Sequence, residues 1–397
     1  PFLTKMVDAL PFISTNEKSS ITFNGEFAHL ISNPQRAIRN SDDRGTAYID
    51  DFEGSQSQID IRSFTMWKLA SVPQGQPDLF PEATQVGELA AGFNRSLLAW
   101  YTIDPLFYQS SSLQPDHLAG SAILNDSRQR LLLQEELFPQ QQLPTGALNN
   151  IPVLDLAFYP AERGMYNYDS TFVNADGKFT NPDERWGGIM RALNTTDFET
   201  ANIEFIQFWM LDPFNQYAVN DTVPGRATSL NGGDLYFNLG NVSEDILLDS
   251  RKSFENGLPP SADTSGLGNL LDTTAWSRIS TQQVVVNAFD NDPEARLFQD
   301  IGLDGWNSQD EFNQYPIFVN WAQNAGLSNE ALNAILNDPS SDDFNYYRDD
   351  DYDALELDIL QRYKRFNGHE GNSASSEFSS QLNADGYPDL IIGNHGE

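Results

Sequence analysis

Cysteine is absent from this chain of 397 residues, and its four histidines are scattered: His29, His117, His369 and His395. The lack of thiols excludes disulfide scaffolds, thiolate metal sites and cysteine nucleophiles. No histidine lies in an H-E-x-x-H pattern or beside a second metal ligand, and there is no G-x-S-x-G nucleophile motif. We therefore identify no catalytic residue and predict that the protein is not an enzyme.

Basic residues are scarce. The sequence has 23 Lys and Arg against 57 Asp and Glu, which gives a formal net charge of -34 and an isoelectric point of about 4.2. The electrostatic field of this negative charge repels the phosphates of a nucleic acid and the surface of an anionic membrane leaflet. We therefore expect no nucleic-acid partner.

Long hydrophobic runs are also missing, since no apolar stretch approaches the about 18 residues of a membrane-spanning helix. The hydrophobic content of 39% and the aromatic content of 12% are nevertheless too high for a disordered acidic chain. We therefore expect a folded protein, and its length favours two or three domains.

Alternating apolar residues predict a mainly β fold with short helices. The predicted strands include the start of 153–169, the stretch 201–214 and its neighbour 234–243. Apolar residues at helical spacing predict helices at 126–137 and 328–336. From about residue 290 onward, helical spacings alternate with acidic loops.

Aromatic and aliphatic residues of these strands are predicted to form the core. Ile203 and Phe205 are expected to face inward. Four tryptophans could instead stack on sugars or peptides: Trp67, Trp186, Trp209 and Trp276. We interpret the first and third as core residues, whereas Trp186 fits either a packed turn or a contact surface.

One short pattern occurs twice. Asp51-Phe52-Glu53 and Asp197-Phe198-Glu199 each precede an isoleucine-containing strand and a tryptophan. The repetition predicts either two similar β domains or two equivalent strands of one sandwich. Coincidence among common residue types is the alternative.

Calcium is the cofactor that the acidic composition favours. Calcium loops of the EF type place oxygen ligands at alternating positions, a glycine at the sixth position and a glutamate at the twelfth. Asp300, Asp304, Gly305 and Glu311 occupy the first, fifth, sixth and twelfth positions of such a loop, whereas Gly302 leaves the third without a ligand. We predict Asp300, Asp304 and Glu311 as metal ligands, with a solvated acidic turn as the alternative.

Three further acidic stretches are weaker candidates. The group Asn174, Asp176 and Gly177 is a partial loop, as is the group between Asn383 and Asp389. The run Asp349, Asp350 and Asp351, with Asp353, concentrates negative charge, which a cation would relieve, or simply water and Arg348.

Several segments, taken in order, resemble one known family. They include YIDDFEGS (48–55), FYPAERGMYNYD (158–169), NIEFIQFWMLDPF (202–214), VVNAFDNDPEARLFQDIGLDG (285–305) and DPSSDDFNYYRDDDYDA (338–354). The chain resembles the SprA/Sov family of gliding-motility and type 9 secretion proteins, which form an outer-membrane β-barrel translocon. We identify no run of strands typical of a barrel wall, so the resemblance implies a soluble insertion from a longer protein.

The resemblance, joined to the repeated pattern, implies jelly-roll β-sandwich domains in two related copies and an irregular acidic C-terminal region. The predicted boundaries are 1–19 as a stub from a preceding barrel strand, 20–150 and 151–290 as β-sandwich parts, and 291–397 as the acidic region.

The function that the resemblance implies is a non-enzymatic segment that caps or lines a translocon pore. The implied partners are the parent barrel, a PorV-type barrel protein, a plug protein and secreted cargo. The implied location is the outer membrane, with the cell surface favoured over the periplasmic side. The alternatives are a secreted carbohydrate-binding or calcium-dependent adhesion module and, with least support, a glycoside hydrolase.

Overall fold

A computed structural model describes residues 5, 59–109, 114–141, 149–199, 201, 203–211, 232–253, 271–280, 298, 301–344, 346–348 and 350–366. The chain divides into two compact units, 1–58 with 197–204 and 59–196 with 205–397. Most of the first unit lies outside the described residues, including the first copy of the repeated tripeptide. The elements below belong to the second unit.

The strands of the described residues form three antiparallel sheets of two strands each. Strand β1 (Lys68–Leu69) pairs with β4 (Ile189–Met190), β2 (Ser96–Tyr101) with β3 (Asp155–Arg163), and β5 (Leu271–Thr273) with β6 (Arg278–Ser280). The strand predicted from residue 153 is therefore confirmed as β3. The predicted jelly-roll sandwich and its two copies stay predictions.

The β2–β3 pair contains an irregularity at Pro160. Ser96 is opposite Arg163, but Leu97 is opposite Tyr159, so three residues of β3 bulge out of the ladder. A proline has no backbone N–H to donate to a ladder, which makes a bulge its natural place. The Ser96 hydroxyl donates to the Pro160 carbonyl at 2.9 Å and anchors the bulge. The strand thus continues through the proline.

Short helices make the fold mixed rather than mainly β. The α-helices are α1 (Gln134–Leu137), α2 (Ser308–Gln314), α3 (Pro316–Asn324), α4 (Asn329–Asn337), α5 (Asp350–Ala354) and α6 (Ile359–Tyr363). Turns of 3-10 helix occur at Phe64–Met66, Pro81–Thr84, Leu89–Gly92, Pro105–Tyr108, Ala122–Asn125 and Pro182–Glu184. Among the described residues, no helix combines the length and the apolar character needed to span a bilayer.

One helix prediction is confirmed and the other is wrong over most of its length. Helix α4 matches the predicted 328–336, and the Ser328 hydroxyl caps it by accepting the Ala331 N–H. Of the predicted 126–137, only the single turn α1 is α-helical. The Asp126 carboxylate accepts the backbone N–H of Arg128, and such local hydrogen bonds compete with a helix.

Two clusters of buried apolar side chains form the core, and β2 lies between them. Trp100 belongs to the first cluster with Tyr168, Trp276, Phe318 and Ile335. The neighbouring strand residues Ala99 and Tyr101 belong to the second cluster, with Phe107, Ile359, Tyr363 and Phe366. Successive strand side chains point to opposite faces, so a strand buried on both faces joins the two clusters.

The two clusters combine residues from both sides of the predicted domain boundaries at 150 and 290. Strands β2 and β3 lie on either side of the predicted boundary at 150, and Trp276 and Phe318 lie on either side of that at 290. The described residues of 59–196 and 205–366 therefore belong to one compact unit.

The expected core role of 201–214 is wrong in the described residues. Phe205 is 66% exposed and Trp209 is 72% exposed, and residues 203–211 and 232–239 form no strand pairing. Trp67 does pack against the first cluster, and Trp276 is fully buried in it. An alternating pattern shows that a strand could form, but its burial depends on a partner surface.

Candidate metal centre

A tight turn before α2 presents the first buried carboxylate. The Gly305 N–H donates to the Gly302 carbonyl at 2.9 Å, and Gly305 has a φ of 70°. A Cβ at this glycine would lie 1.8 Å from the Arg278 carbonyl oxygen, so both backbone conformation and space require glycine. This turn places Asp304, which is fully buried, at the interior side of the loop.

Helix α2 supplies the second carboxylate. The Asn307 side chain caps the helix by accepting the Asp310 N–H at 3.0 Å. One residue later, Glu311 turns inward and is only 1% exposed. Its Oε2 accepts the backbone N–H of Ser340 at 2.9 Å, which ties the helix to a distant loop.

That distant loop, 338–343, supplies the third carboxylate, Asp342. The Arg163 guanidinium donates to the carbonyls of Pro339 and, at 2.8 Å, of Asp338. Ser341 has a φ of 59°, which completes the sharp turn of the loop. The resulting path brings Asp342 beside Asp304 and Glu311.

The three carboxylates form one cluster. Oxygen atoms of Asp304, Glu311 and Asp342 all lie within 4.8 Å of one another. A Cβ at Gly302 would be 1.6 Å from Asp342 Oδ2. The glycine at the third position of the predicted loop is therefore required, because a carboxylate from another loop occupies the adjacent space.

Burial and mutual repulsion dominate the electrostatics of this cluster. Burial, with the neighbouring carboxylates, raises the pKa of Asp342 well above its usual value and that of Glu311 to about 9. Burial raises the pKa of Asp304 to about 7, although hydrogen bonds oppose the shift. Two unit charges 4.8 Å apart repel by about 3.5 kcal/mol at an effective dielectric constant of about 20, so three ionised groups repel by about 10 kcal/mol. That is comparable with the whole stability of a protein, so without a cation the cluster holds protons, and full ionisation requires a bound cation.

Hydrogen bonds hold Asp304 from outside the cluster. Its Oδ2 accepts the hydroxyls of Ser340 at 2.8 Å and Tyr315 at 3.0 Å, and its Oδ1 accepts the Trp306 N–H. The Tyr168 hydroxyl in turn contacts Ser340 Oγ at 2.7 Å. The oxygen atoms are therefore fixed by the aromatic core, as in a preorganised site for a hard cation.

The remaining predicted site residues either lie outside the described residues or lie apart from this cluster. Asp300, like the group 383–389, lies outside the described residues. Asn174 Oδ1 accepts the N–H groups of Asp176 and Lys178, which makes that loop a self-contained turn with an exposed aspartate. Asp353 pairs with the buried Arg362.

Sequence reasoning missed Asp342. It is separated from Glu311 by thirty-one positions, and its acidic neighbourhood was interpreted only as part of the family resemblance. The one hint in the sequence was Gly302, which leaves the third position of the predicted calcium loop without a ligand.

Comparison with known proteins gives one family match. Residues 317–391 match a family model described as motility related/secretion protein. This match bears out the predicted SprA/Sov resemblance over residues 317–391. The matched residues include Asp342 and most of α3, whereas Asp304 and Glu311 precede them. No curated protein matches the chain. The family associates the chain with motility and secretion.

Proposed function

We propose that this chain is a non-enzymatic structural and interaction segment of an outer-membrane protein-secretion translocon. In this role it caps or lines the pore at the cell surface and contacts secreted cargo. Its further partners are the barrel of the parent protein, a PorV-type barrel protein and a plug protein. The observation that carries the proposal is the match of residues 317–391 to a motility and secretion family.

The packing of the matched segment supports a structural role. Phe318 and Ile335 belong to the first core cluster, and Ile359, Tyr363 and Phe366 belong to the second. The segment is therefore an integral part of the compact unit. We therefore assign the role in secretion to the whole folded unit rather than to the matched segment alone.

Exposed apolar side chains support an interaction role. Two stretches, 205–211 and 235–242, expose large apolar residues, and the rings of Phe208 and Phe237 lie 5.7 Å apart. The exposed members are Phe205, Ile206, Phe208, Trp209, Met210, Leu211, Leu235, Tyr236, Phe237, Leu239 and Val242. Concentrated apolar exposure of this kind marks a surface that another protein surface covers.

Serine substitution at Trp209 tests this role in the intact parent protein. We expect Trp209→Ser to reduce cargo secretion and the amount of barrel partner that co-purifies. The melting temperature of the 397-residue chain should not change, since Trp209 is 72% exposed. Ile317 of α3 is 87% exposed, so Ile317→Ser is the matched control. This control should change neither cargo secretion nor the recovery of the barrel partner. Normal secretion and normal partner recovery with Trp209→Ser would contradict the proposal.

The second candidate function is a secreted calcium-dependent adhesion or carbohydrate-binding module. The chemistry of the Asp304, Glu311 and Asp342 cluster favours it, because carboxylate oxygens are ligands that Ca²⁺ prefers. A glycan array with the 397-residue chain distinguishes the two functions. A defined glycan ligand supports the module, whereas a translocon segment should show none.

A further inference from the structure

We propose that Asp304, Glu311 and Asp342 bind one Ca²⁺ ion. This site goes beyond the proposed role in secretion and does not depend on it. Four observations support it: the spacing of the oxygens, the burial of all three side chains, an oxygen without a hydrogen-bond partner, and the space left at Gly302.

The spacing fits the coordination sphere of calcium. Ca²⁺ binds oxygens at about 2.4 Å, so two ligands on opposite sides of the ion are about 4.8 Å apart. The oxygens of the three carboxylates lie within 4.8 Å of one another. Mg²⁺ binds at about 2.1 Å and retains several waters, which suits a closed cluster of protein ligands less well.

Asp342 has a buried oxygen that no other protein group satisfies. This side chain is 8% exposed, and its Oδ2 is buried without a hydrogen-bond partner. Leaving such an oxygen unpaired is unfavourable. In the described part of the chain, no lysine or arginine forms an ion pair with any of the three carboxylates.

Gly302 shapes the space around that oxygen. A Cβ at residue 302 would lie 1.6 Å from Asp342 Oδ2 and 2.8 Å from the Tyr166 hydroxyl. A side chain here would therefore displace the carboxylate from the cluster. In the EF-type pattern the third position supplies a ligand, and in this fold Asp342 supplies it from a different loop.

A second acidic group shares Asp342 but is less suited to the ion. It comprises Asp338, Asp342 and Asp343. Asp338 forms an ion pair with Arg365 at 3.7 Å and accepts the Asp342 N–H, so its charge is already compensated. Asp343 is exposed and interacts with the Ser308 hydroxyl. The ion is therefore assigned to the buried group.

An ion at this site would tie three parts of the chain together. Asp304 belongs to the turn before α2, Glu311 to α2 itself, and Asp342 to the family-matched segment. Calcium therefore stabilises the attachment of that segment to the rest of the compact unit.

The test compares two neighbouring aspartates in the 397-residue chain after removal of metal by a chelator. Calcium is added as CaCl₂, and bound ions are counted by equilibrium dialysis with elemental analysis. We expect wild type to bind at least one ion per chain and to melt several degrees higher with 2 mM CaCl₂ than with EDTA. Asp342→Asn should bind one ion fewer and lose the calcium-dependent shift. The matched control Asp343→Asn should keep the bound ion and the calcium-dependent shift in melting temperature.

A folding control separates lost binding from a damaged fold. Without calcium, Asp342→Asn replaces a buried carboxyl group that is crowded by two others with a neutral amide of similar size, so its melting temperature should equal or exceed that of wild type in EDTA. The proposal is overturned if wild type shows no calcium-dependent shift, or if Asp343→Asn loses as much binding as Asp342→Asn. An equal shift with 2 mM MgCl₂ overturns the choice of calcium.

Discussion

The ion pair between Arg185 and Asp169 provides a sharp test of how burial sets the strength of an interaction. The Arg185 Nη2 and Asp169 Oδ2 atoms are 2.6 Å apart, and the side chains are 0% and 3% exposed. The guanidinium also lies 3.7 Å from the centre of the Phe179 ring. Asp169→Asn leaves a buried cation without its counter-charge, which costs about 3–5 kcal/mol of unfolding free energy.

The same chain offers a control pair with an equal contact distance and much greater exposure. Arg62 Nη2 and Asp60 Oδ2 are also 2.6 Å apart, but their side chains are 53% and 59% exposed. Solvent screens such pairs, so Asp60→Asn should cost at most about 1 kcal/mol. Urea denaturation of wild type and both variants, followed by circular dichroism, measures the two costs. Equal costs for the two variants would refute the reasoning, because they would show that contact distance alone decides the energy.

Three further predictions concern single residues of the described fold. Gly305→Ala should lower the unfolding free energy by about 1–3 kcal/mol, because Gly305 has a φ of 70° and no space for a Cβ; a thermal melt identical to wild type would contradict it. Tyr363→Phe removes the hydroxyl that accepts the Asp104 N–H at 2.9 Å, so we expect a loss of about 1–3 kcal/mol in urea titrations, and no loss would show that this N–H finds another acceptor. Burial raises the pKa of Asp155 to about 7, so its ionisation destabilises the fold as pH rises from about 4 to about 7. Asp155→Asn should therefore gain stability relative to wild type between pH 4 and pH 8, and a difference independent of pH would count against this.

Local features of the fold could be predicted where a short stretch of sequence determines its own structure. Helix α4 is an example, because apolar spacing and the capping Ser328 lie within the same ten residues. The turn at Gly305 is another, since the glycine and the acidic residues beside it match a known loop pattern. Strand β3 was visible from its alternating side chains, but the bulge at Pro160 was not, because it depends on the register with β2.

Features that depend on competing local hydrogen bonds or on a partner surface could not be predicted. The spacing in 126–137 permits a helix, but local hydrogen bonds from Asp126 compete with it. The apolar residues of 205–211 suggested a core strand, whereas in the structure Trp209 lies on the surface. Periodicity specifies which residues share a face, and it does not specify what covers that face.

The sequence by itself determined the acidic character of the protein, the absence of thiol chemistry, its family resemblance and the pairing of Asp304 with Glu311 in one loop pattern. Only the tertiary structure decided that Asp342 joins these two carboxylates. Asp342 reaches them because Arg163 and Ser340 hold its loop against α2. Contacts between residues far apart in the chain depend on the packing of the whole unit, and no short sequence pattern encodes them.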